Sequence, residues 1–381
     1  MNYNIPRSNK GTITIRVMCA LVFLLFTFSW LYFFQSDMLT VAQHVLSKGQ
    51  THYDSTVGTI VITLLLMLIQ MAVFAIFRLT RRHALTYAPS FLLLALITDL
   101  GEPIVEHHVN GTWLWLFPLA LVVWGLVSWW ARSYQSYESR VGQTRVLWSN
   151  LLLMAAMMAG VGAIGNTNAV FHYRAHMECS LCEHDYDEVL ACGAKSLESD
   201  PSMLMLRMYA LSKKQELGER LFEYTVNGTS ADILPLNSRS VTVVYPADSI
   251  FSYLGAWPRS YMSSMQYVDA LIRHGQATPP VPDYLLCGYL IDRDLDAFAK
   301  NVGRFYTVND SLPKHYREAL TLYTHLRSTP VVDYHHAVMD EDFANFRELE
   351  KEYPQASERK SKVFSRFGST YWYYYEYHRA D

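Results

Sequence analysis

"VLWSNLLLMAAMMAGVGAIGNTNAVF", Val146 to Phe171, runs for 26 residues without one Asp, Glu, Lys or Arg. About 20 apolar residues cross the hydrocarbon core of a bilayer, and a helix satisfies its own backbone polar groups, so the stretch reads as a transmembrane helix. The chain beyond it changes character: charged residues return, and amphipathic patterns with turn signals replace the apolar runs. The fold class that follows is all-α, with a multi-pass transmembrane domain over 1–171 and an extracytoplasmic, helical repeat-like domain over 172–381.

Composition supports that division. Of 381 residues, 51% are hydrophobic, and the excess lies at the front. The first 171 residues hold ten Lys or Arg and six Asp or Glu, while the remainder holds 22 and 29. Neither part is basic enough to suggest a nucleic-acid partner. Working back from Val146, four further apolar runs appear, giving expected spans of about 17–35, 57–77, 84–100, 112–131 and 146–170. The third is marginal, because Asp99 and Glu102 close it early. The first has a basic front in Arg7, Lys10 and Arg16 but is too long and bulky for a cleaved signal peptide, with no small-residue cleavage site. It is expected to stay as a helix.

Charge distribution then orients the bundle. Arg7, Lys10, Arg16, Arg78, Arg81, Arg82, Arg132, Arg140 and Arg145 fall on one side of the expected membrane, and only Lys48 falls on the other. Positive residues are retained on the cytoplasmic side. The N-terminus is therefore expected in the cytoplasm of a bacterium, the chain in its inner membrane, and the second domain in the periplasm. The bilayer is the first expected partner. Polar residues inside spans mark transport paths, and here they amount to little beyond Gln70, Asn150, Asn166 and Asn168. A transporter is not indicated.

In the second domain, "YDEVLACGAKSLESDP" (186–201) reads as a helix ended by Asp-Pro, and "SMLMLRMYALSKKQELGERLFEY" (202–224) as two helices broken near Gly218. Further helices are expected at 264–274, 282–291, 295–306, 313–326 and 341–353. The layout resembles tetratricopeptide repeats, although the repeat's consensus is mostly missing, so an irregular α-hairpin solenoid is the expected form. Residues 233–249, rich in β-branched types and bounded by prolines, read as a long loop. The C-terminal "STYWYYYEYH" (369–378) reads as a helix capping the solenoid, with a ligand platform or membrane contact as alternatives.

Chemistry has few candidates. No Gly-rich phosphate loop, HExxH or GxSxG is present. The loop Asp99, Glu102, Glu106, His107 and His108 offers ligands for a divalent cation, or is simply a hydrated connection. "HMECSLCEHDYDEVLACG" (176–193) packs three cysteines and two histidines together. Haem is disfavoured because Glu183 separates Cys182 from His184. Zinc through His176, Cys179, Cys182 and His184 would crowd four ligands into nine positions. A redox Cys-x-x-Cys sits at a helix N-terminus after a strand, and here a membrane span precedes. A disulfide is the preferred reading, since thiols outside the cytoplasm meet an oxidising medium. Its candidates are Cys179 or Cys182 with Cys192, leaving Cys287 buried and reduced. No cofactor, metal or catalytic residue is expected.

The multi-pass front, the repeat-like tail and the ending "FGSTYWYYYEYH" (367–378) resemble an uncharacterised membrane-protein family of Bacteroides-like bacteria. The likeness covers most of the chain. It implies architecture and location, and it transfers no activity and no catalytic residue. The expected function is a membrane-anchored periplasmic interaction or scaffold protein whose helical array offers a groove to a cell-envelope protein or peptide. The alternative is a membrane enzyme or redox component using Cys179 and Cys182 or the 99–108 loop.

Overall fold

The structure, a computed structural model, describes residues 9–101, 111–134 and 142–378, all helices, turns and loops with no strand among them. It divides into two compact units, Met1–His172 and Tyr173–Asp381.

In the first unit, α1 (Asn9–Ser29) continues through a π-helical turn at Trp30–Phe34 into α2 (Ser36–Ser47). Then come α3 (Ser55–Phe77), α4 (Ala88–Thr98) after a 3-10 turn at His83–Tyr87, α5 (Trp113–Tyr134) and α6 (Gln143–Ile164). Four segments are long and apolar enough to cross a membrane: Ile13–Phe34, Ser55–Phe77, Trp113–Ser133 and Gln143–Ile164. Their outer faces are largely hydrocarbon, with Leu25, Leu64, Leu126 and Leu152 more than half exposed. That is the surface a lipid solvent leaves on a helix. The amphipathic α2, which buries Met38, Leu39, Val41, Ala42 and Val45, has no counterpart in the sequence reading.

The marginal third run becomes the centre of the bundle. Together with its 3-10 turn it covers His83–Thr98, about 27 Å at the rises of the two helix types, slightly short of a ~30 Å hydrocarbon core. Its Ala84, Tyr87, Phe91, Leu94 and Ala95 form the middle of the core, packed by Phe23 of α1 and Leu66 of α3. Three of the four polar span residues, Gln70, Asn150 and Asn166, serve this segment. Gln70 donates to Thr86 Oγ1 at 2.9 Å. Asn150 accepts from the Ala84 N–H at 2.8 Å and donates to the Arg81 and Val146 carbonyls at 2.7 and 2.8 Å. Past the end of α6, the Asn166 N–H donates to the Thr98 carbonyl at 3.1 Å, and its side chain donates to the Leu100 carbonyl. Trp30, at the end of α1, reaches Thr98 at 3.5 Å, and Trp113, at the start of α5, donates to Asp99 Oδ2 at 2.6 Å. The end of α4 therefore lies level with the end of α1 and the start of α5, so α4 runs antiparallel to α5.

Helix α7 (Ala169–Cys182) carries the division between the units. The second unit continues with α8 (Tyr186–Ala191), α9 (Pro201–Lys213), α10 (Leu217–Arg220) and α11 (Ala247–Leu254). Next are α12 (Ser264–Arg273), α13 (Val281–Ile291), α14 (Leu295–Phe305) and α15 (Lys314–Leu326), then α16 (Ala337–Glu352), α17 (Ala356–Phe367) and α18 (Tyr371–Tyr377). The helix expected over 186–201 stops at Ala191, and Asp-Pro starts α9 instead of ending α8. The Asp200 carboxylate accepts the Met203 N–H at 2.7 Å as an N-cap, and Pro201 occupies the first turn. Every residue from Ser202 to Ser212 is buried, so α9 is the apolar-all-round axis of the unit. From α12 to α18 each helix packs on the next. Two contacts break a simple stack: α10 packs on α15 and on α13, and α18 folds back on α15.

One buried polar cluster, centred on Glu318, locks the contacts on α15. His315 Nε2 accepts the Phe222 N–H at 3.1 Å, so its Nδ1 carries the proton that meets Glu318 Oε2 at 2.9 Å. The same Glu318 oxygen accepts the Tyr371 N–H at 2.7 Å, and the Glu318 carbonyl accepts from the Trp372 indole at 2.7 Å. Trp372 itself fills a nest of Phe343, Phe346 and Phe367 rings.

Candidate functional site

The cysteine-rich stretch occupies the second half of α7, the turn after it, and α8. His176 and Glu188 pair at 3.0 Å, tying α7 to α8. Cys179 is half-buried in the last turns of α7, Cys182 is exposed at its end, and His184 follows in a left-handed turn at φ 61°. The Cys192 thiol donates to the Tyr173 carbonyl at 3.6 Å, while Cys287 is buried in α13 beside the Tyr316 hydroxyl at 3.5 Å. Among the described residues no group of three His, Cys, Asp or Glu is placed to hold a metal ion. The Cys-x-x-Cys lies at the C-terminal end of its helix, the negative end of the dipole. Partial burial of the Cys182 sulfur, then Glu178 and Glu183, push its thiol pKa up, opposite to the shift a reactive thiolate needs. Of the second candidate group, Asp99 holds the Trp113 indole, and Glu102, Glu106, His107 and His108 lie outside the described residues.

The residue in this stretch that does most is Glu178, which the sequence reading passed over. Its carboxylate is 1% exposed, and one oxygen accepts the N–H groups of Val243, Val244 and Tyr245 at 2.7, 2.6 and 2.9 Å. Burial pushes its pKa up, against those three N–H bonds and the Arg174 charge. Glu178 thus supplies the acceptors that a strand partner would otherwise give to the loop over 233–249. The visible signal was an Arg174–Glu178 pair, four residues apart, on the same face as Ala175 and Leu181.

A concave surface of this unit lies elsewhere. A cleft of about 680 Å³ opens between two walls drawn from distant parts of the chain. One wall is the turn Ala194–Leu197 with the loop Phe222–Thr229 and Arg239. The other is one face of α17, namely Ser357, Lys360, Ser361 and Phe364, together with Tyr373, Tyr374, Tyr377 and His378. Positions three and four apart share a helix face, which is why these four α17 residues line the cleft together.

Buried polar bonds stiffen the first wall. Arg207, 2% exposed, reaches the Cys192 and Gly193 carbonyls at 3.2 and 3.1 Å and stands 5.3 Å from the Tyr224 ring centre. Thr225 donates to the Ser196 carbonyl at 2.8 Å and Asn227 to the Ser199 carbonyl at 2.6 Å. On the opposite wall the Tyr374 hydroxyl donates to the Ile291 carbonyl at 2.7 Å and the Tyr377 hydroxyl to Glu350 at 2.7 Å. The C-terminal aromatics therefore divide their work: Tyr371 and Trp372 face the core, and Tyr373 and Tyr377 face the cleft. One short helix thus has a core side and a cleft side.

The charge of the cleft is one-sided. Lys195, Arg239, Lys360 and His378 line it, against Glu223 as the one carboxylate among the described lining residues. Glu223 is already engaged, by Arg220 at 3.1 Å and Lys314 at 3.7 Å. Arg239 stands 3.6 Å from buried Asp232. Lys195 and Lys360 have no ion-pair partner among the described residues.

No curated protein and no solved structure matches the chain. A family model does match, over residues 107–270 and 259–378, which together take in more than half of the sequence and all of the cleft. The chain belongs to that family, a family of unknown function designated DUF6057.

Proposed function

We propose that the chain is a membrane-anchored interaction protein of the bacterial inner membrane, its second unit lying in the periplasm and receiving a peptide segment of a cell-envelope partner. The observation that carries this reading is the open cleft between the Phe222–Thr229 loop and α17–α18. Its volume falls in the range of preformed ligand sites, and its walls are held by bonds that leave aromatic faces and cations to the ligand. The consecutive packing of α12 to α18 supports an irregular helical-hairpin array of the tetratricopeptide kind, in which stacked helix pairs present concave surfaces. The nine-to-one distribution of Lys and Arg supports a cytoplasmic N-terminus. A thiol enzyme built on Cys179 and Cys182 is disfavoured by the raised thiol pKa of Cys182.

Photo-crosslinking tests the reading. A benzophenone amino acid replaces Leu197, exposed on the cleft's rim, or Tyr261, 96% exposed and outside the cleft. Irradiation of native membranes is expected to give a discrete adduct from position 197 that is absent from position 261. Identical products from both positions, or none from 197, would sink the proposal.

A further inference from the structure

The geometry points to an acidic peptide segment, one that presents carboxylates next to apolar or aromatic side chains, as the occupant of the cleft between Phe222–Thr229 and α17–α18. This inference rests on the peptide-binding reading above and names the chemistry that the site selects.

Charge complementarity comes first. The cleft sets Lys195, Lys360, Arg239 and His378 around one space, and Glu223, the single carboxylate among its described lining residues, is held by Arg220 and Lys314. Arg239 shares its charge with Asp232 at 3.6 Å, which leaves Lys195 and Lys360 as the cations with no ion pair among the described residues. They stand on opposite walls, Lys195 on the turn after α8 and Lys360 on α17. An anionic segment between them meets positive charge from both sides, the arrangement that raises association rates and sets specificity.

The surfaces between the cations are rings. Phe222, Tyr224, Phe364, Tyr373 and Tyr377 line the space together with Ser357 and Ser361 of α17, and much of the polar capacity of the facing loop is used within the fold. Tyr224 Oη accepts from Arg220 at 2.9 Å, Tyr374 donates to Ile291 and Tyr377 to Glu350. The Thr225 hydroxyl and the Asn227 amide are spent on the Ser196 and Ser199 carbonyls, and the Thr229 hydroxyl on Asp232 at 3.1 Å. A saccharide carries a dense array of hydroxyls, and burying them against spent donors and acceptors costs affinity. A peptide with carboxylates and apolar side chains needs only cations and ring faces, and those are what the cleft leaves open. That difference favours an acidic peptide over an anionic glycan, and the competition below tests it.

The test uses the full chain reconstituted in nanodiscs and a phage-displayed library of random short peptides. Selection is expected to enrich Asp and Glu together with aromatic or aliphatic residues. Anisotropy titration of a labelled enriched peptide should show affinity falling as salt rises, and falling roughly tenfold or more in the Lys195→Glu, Lys360→Glu double variant. Both lysines are exposed, and the variant's helical circular dichroism and a Lys195→Arg, Lys360→Arg control that keeps binding separate loss of charge from loss of fold. Enrichment of neutral or basic peptides, no enrichment over empty nanodiscs, or equal binding by the double-Glu variant overturns the inference. So does displacement of the peptide by polygalacturonate at lower concentration than by polyglutamate. A crosslinked partner at position 197 whose contact segment is not acidic would overturn this inference alone and leave the peptide-binding reading standing.

Discussion

Glu178 stands between His176 and Cys179, and it shows how a residue's weight in the fold comes from what it accepts. Three consecutive N–H groups, Val243 to Tyr245, end on one of its oxygens. Charge-assisted bonds of this kind are the stronger class, and removing their acceptor leaves three buried donors unsatisfied. Glu178→Ala is expected to destabilise the second unit by about 3–5 kcal/mol, in the range for breaking a buried charged network. The local readout is amide hydrogen exchange at Val243–Tyr245, which should accelerate well beyond exchange at Leu320–Tyr323 in α15. Uniform acceleration, or none, would remove Glu178 as the anchor of the loop. The neighbouring thiols carry the disulfide expectation of Cys179 or Cys182 with Cys192. Counting reactive thiols in denaturant without reductant, on protein taken from its native membrane, should give three for one disulfide among the five cysteines. A count of five would reject the pairing.

At the scale of elements, the short helix α4 is held at both ends by side chains from its neighbours, and Asn150 is the richest of these contributors. Its amide meets the Ala84 N–H and two carbonyls, so almost all of its hydrogen-bonding capacity is spent on one connection. Asn150→Leu keeps the volume and strands those groups in an environment without water. The expected cost is about 2–3 kcal/mol, seen as a lower thermal midpoint in detergent and faster exchange at Ala84. Asn150→Asp, which keeps the acceptor, should retain protection at Ala84. The four long spans were legible because hydrocarbon length and absence of charge depend only on local sequence. The 83–98 segment was legible as an apolar run but not as the bundle's centre, since nothing local says that Gln70, Asn150 and Asn166 converge on it. Helix α2 went unseen because 12 amphipathic residues between two apolar runs give a weak signal. Asp200-Pro201 was misread because Asp before Pro both ends one helix and caps the next, and only tertiary packing selects.

At the scale of the whole molecule, the cleft was illegible for a physical reason: Lys195 and Lys360 line one space from opposite walls in a unit where α18 folds back on α15, a contact that no periodicity encodes. The change in composition near residue 171 is read directly from the sequence, because solvent preference is a property of composition. Sidedness is the remaining consequence of composition, and it rests on arithmetic. Nine Lys or Arg lie at one end of the expected spans and one at the other, and each arginine costs several kcal/mol at a bilayer's centre. Five crossings from a cytoplasmic N-terminus would put Tyr261 outside, whereas four would return it to the cytoplasm. The fate of the short 83–98 segment therefore decides the address of the cleft. Tyr261, 96% exposed, offers a handle whose replacement disturbs no contact that holds the fold. Tyr261→Cys, in a chain whose Cys182 is replaced by Ser, should react with a membrane-impermeant maleimide in spheroplasts with intact inner membranes. Labelling that appears only after those membranes are lysed would mean that 83–98 does not cross, and the cleft would then face the cytoplasm.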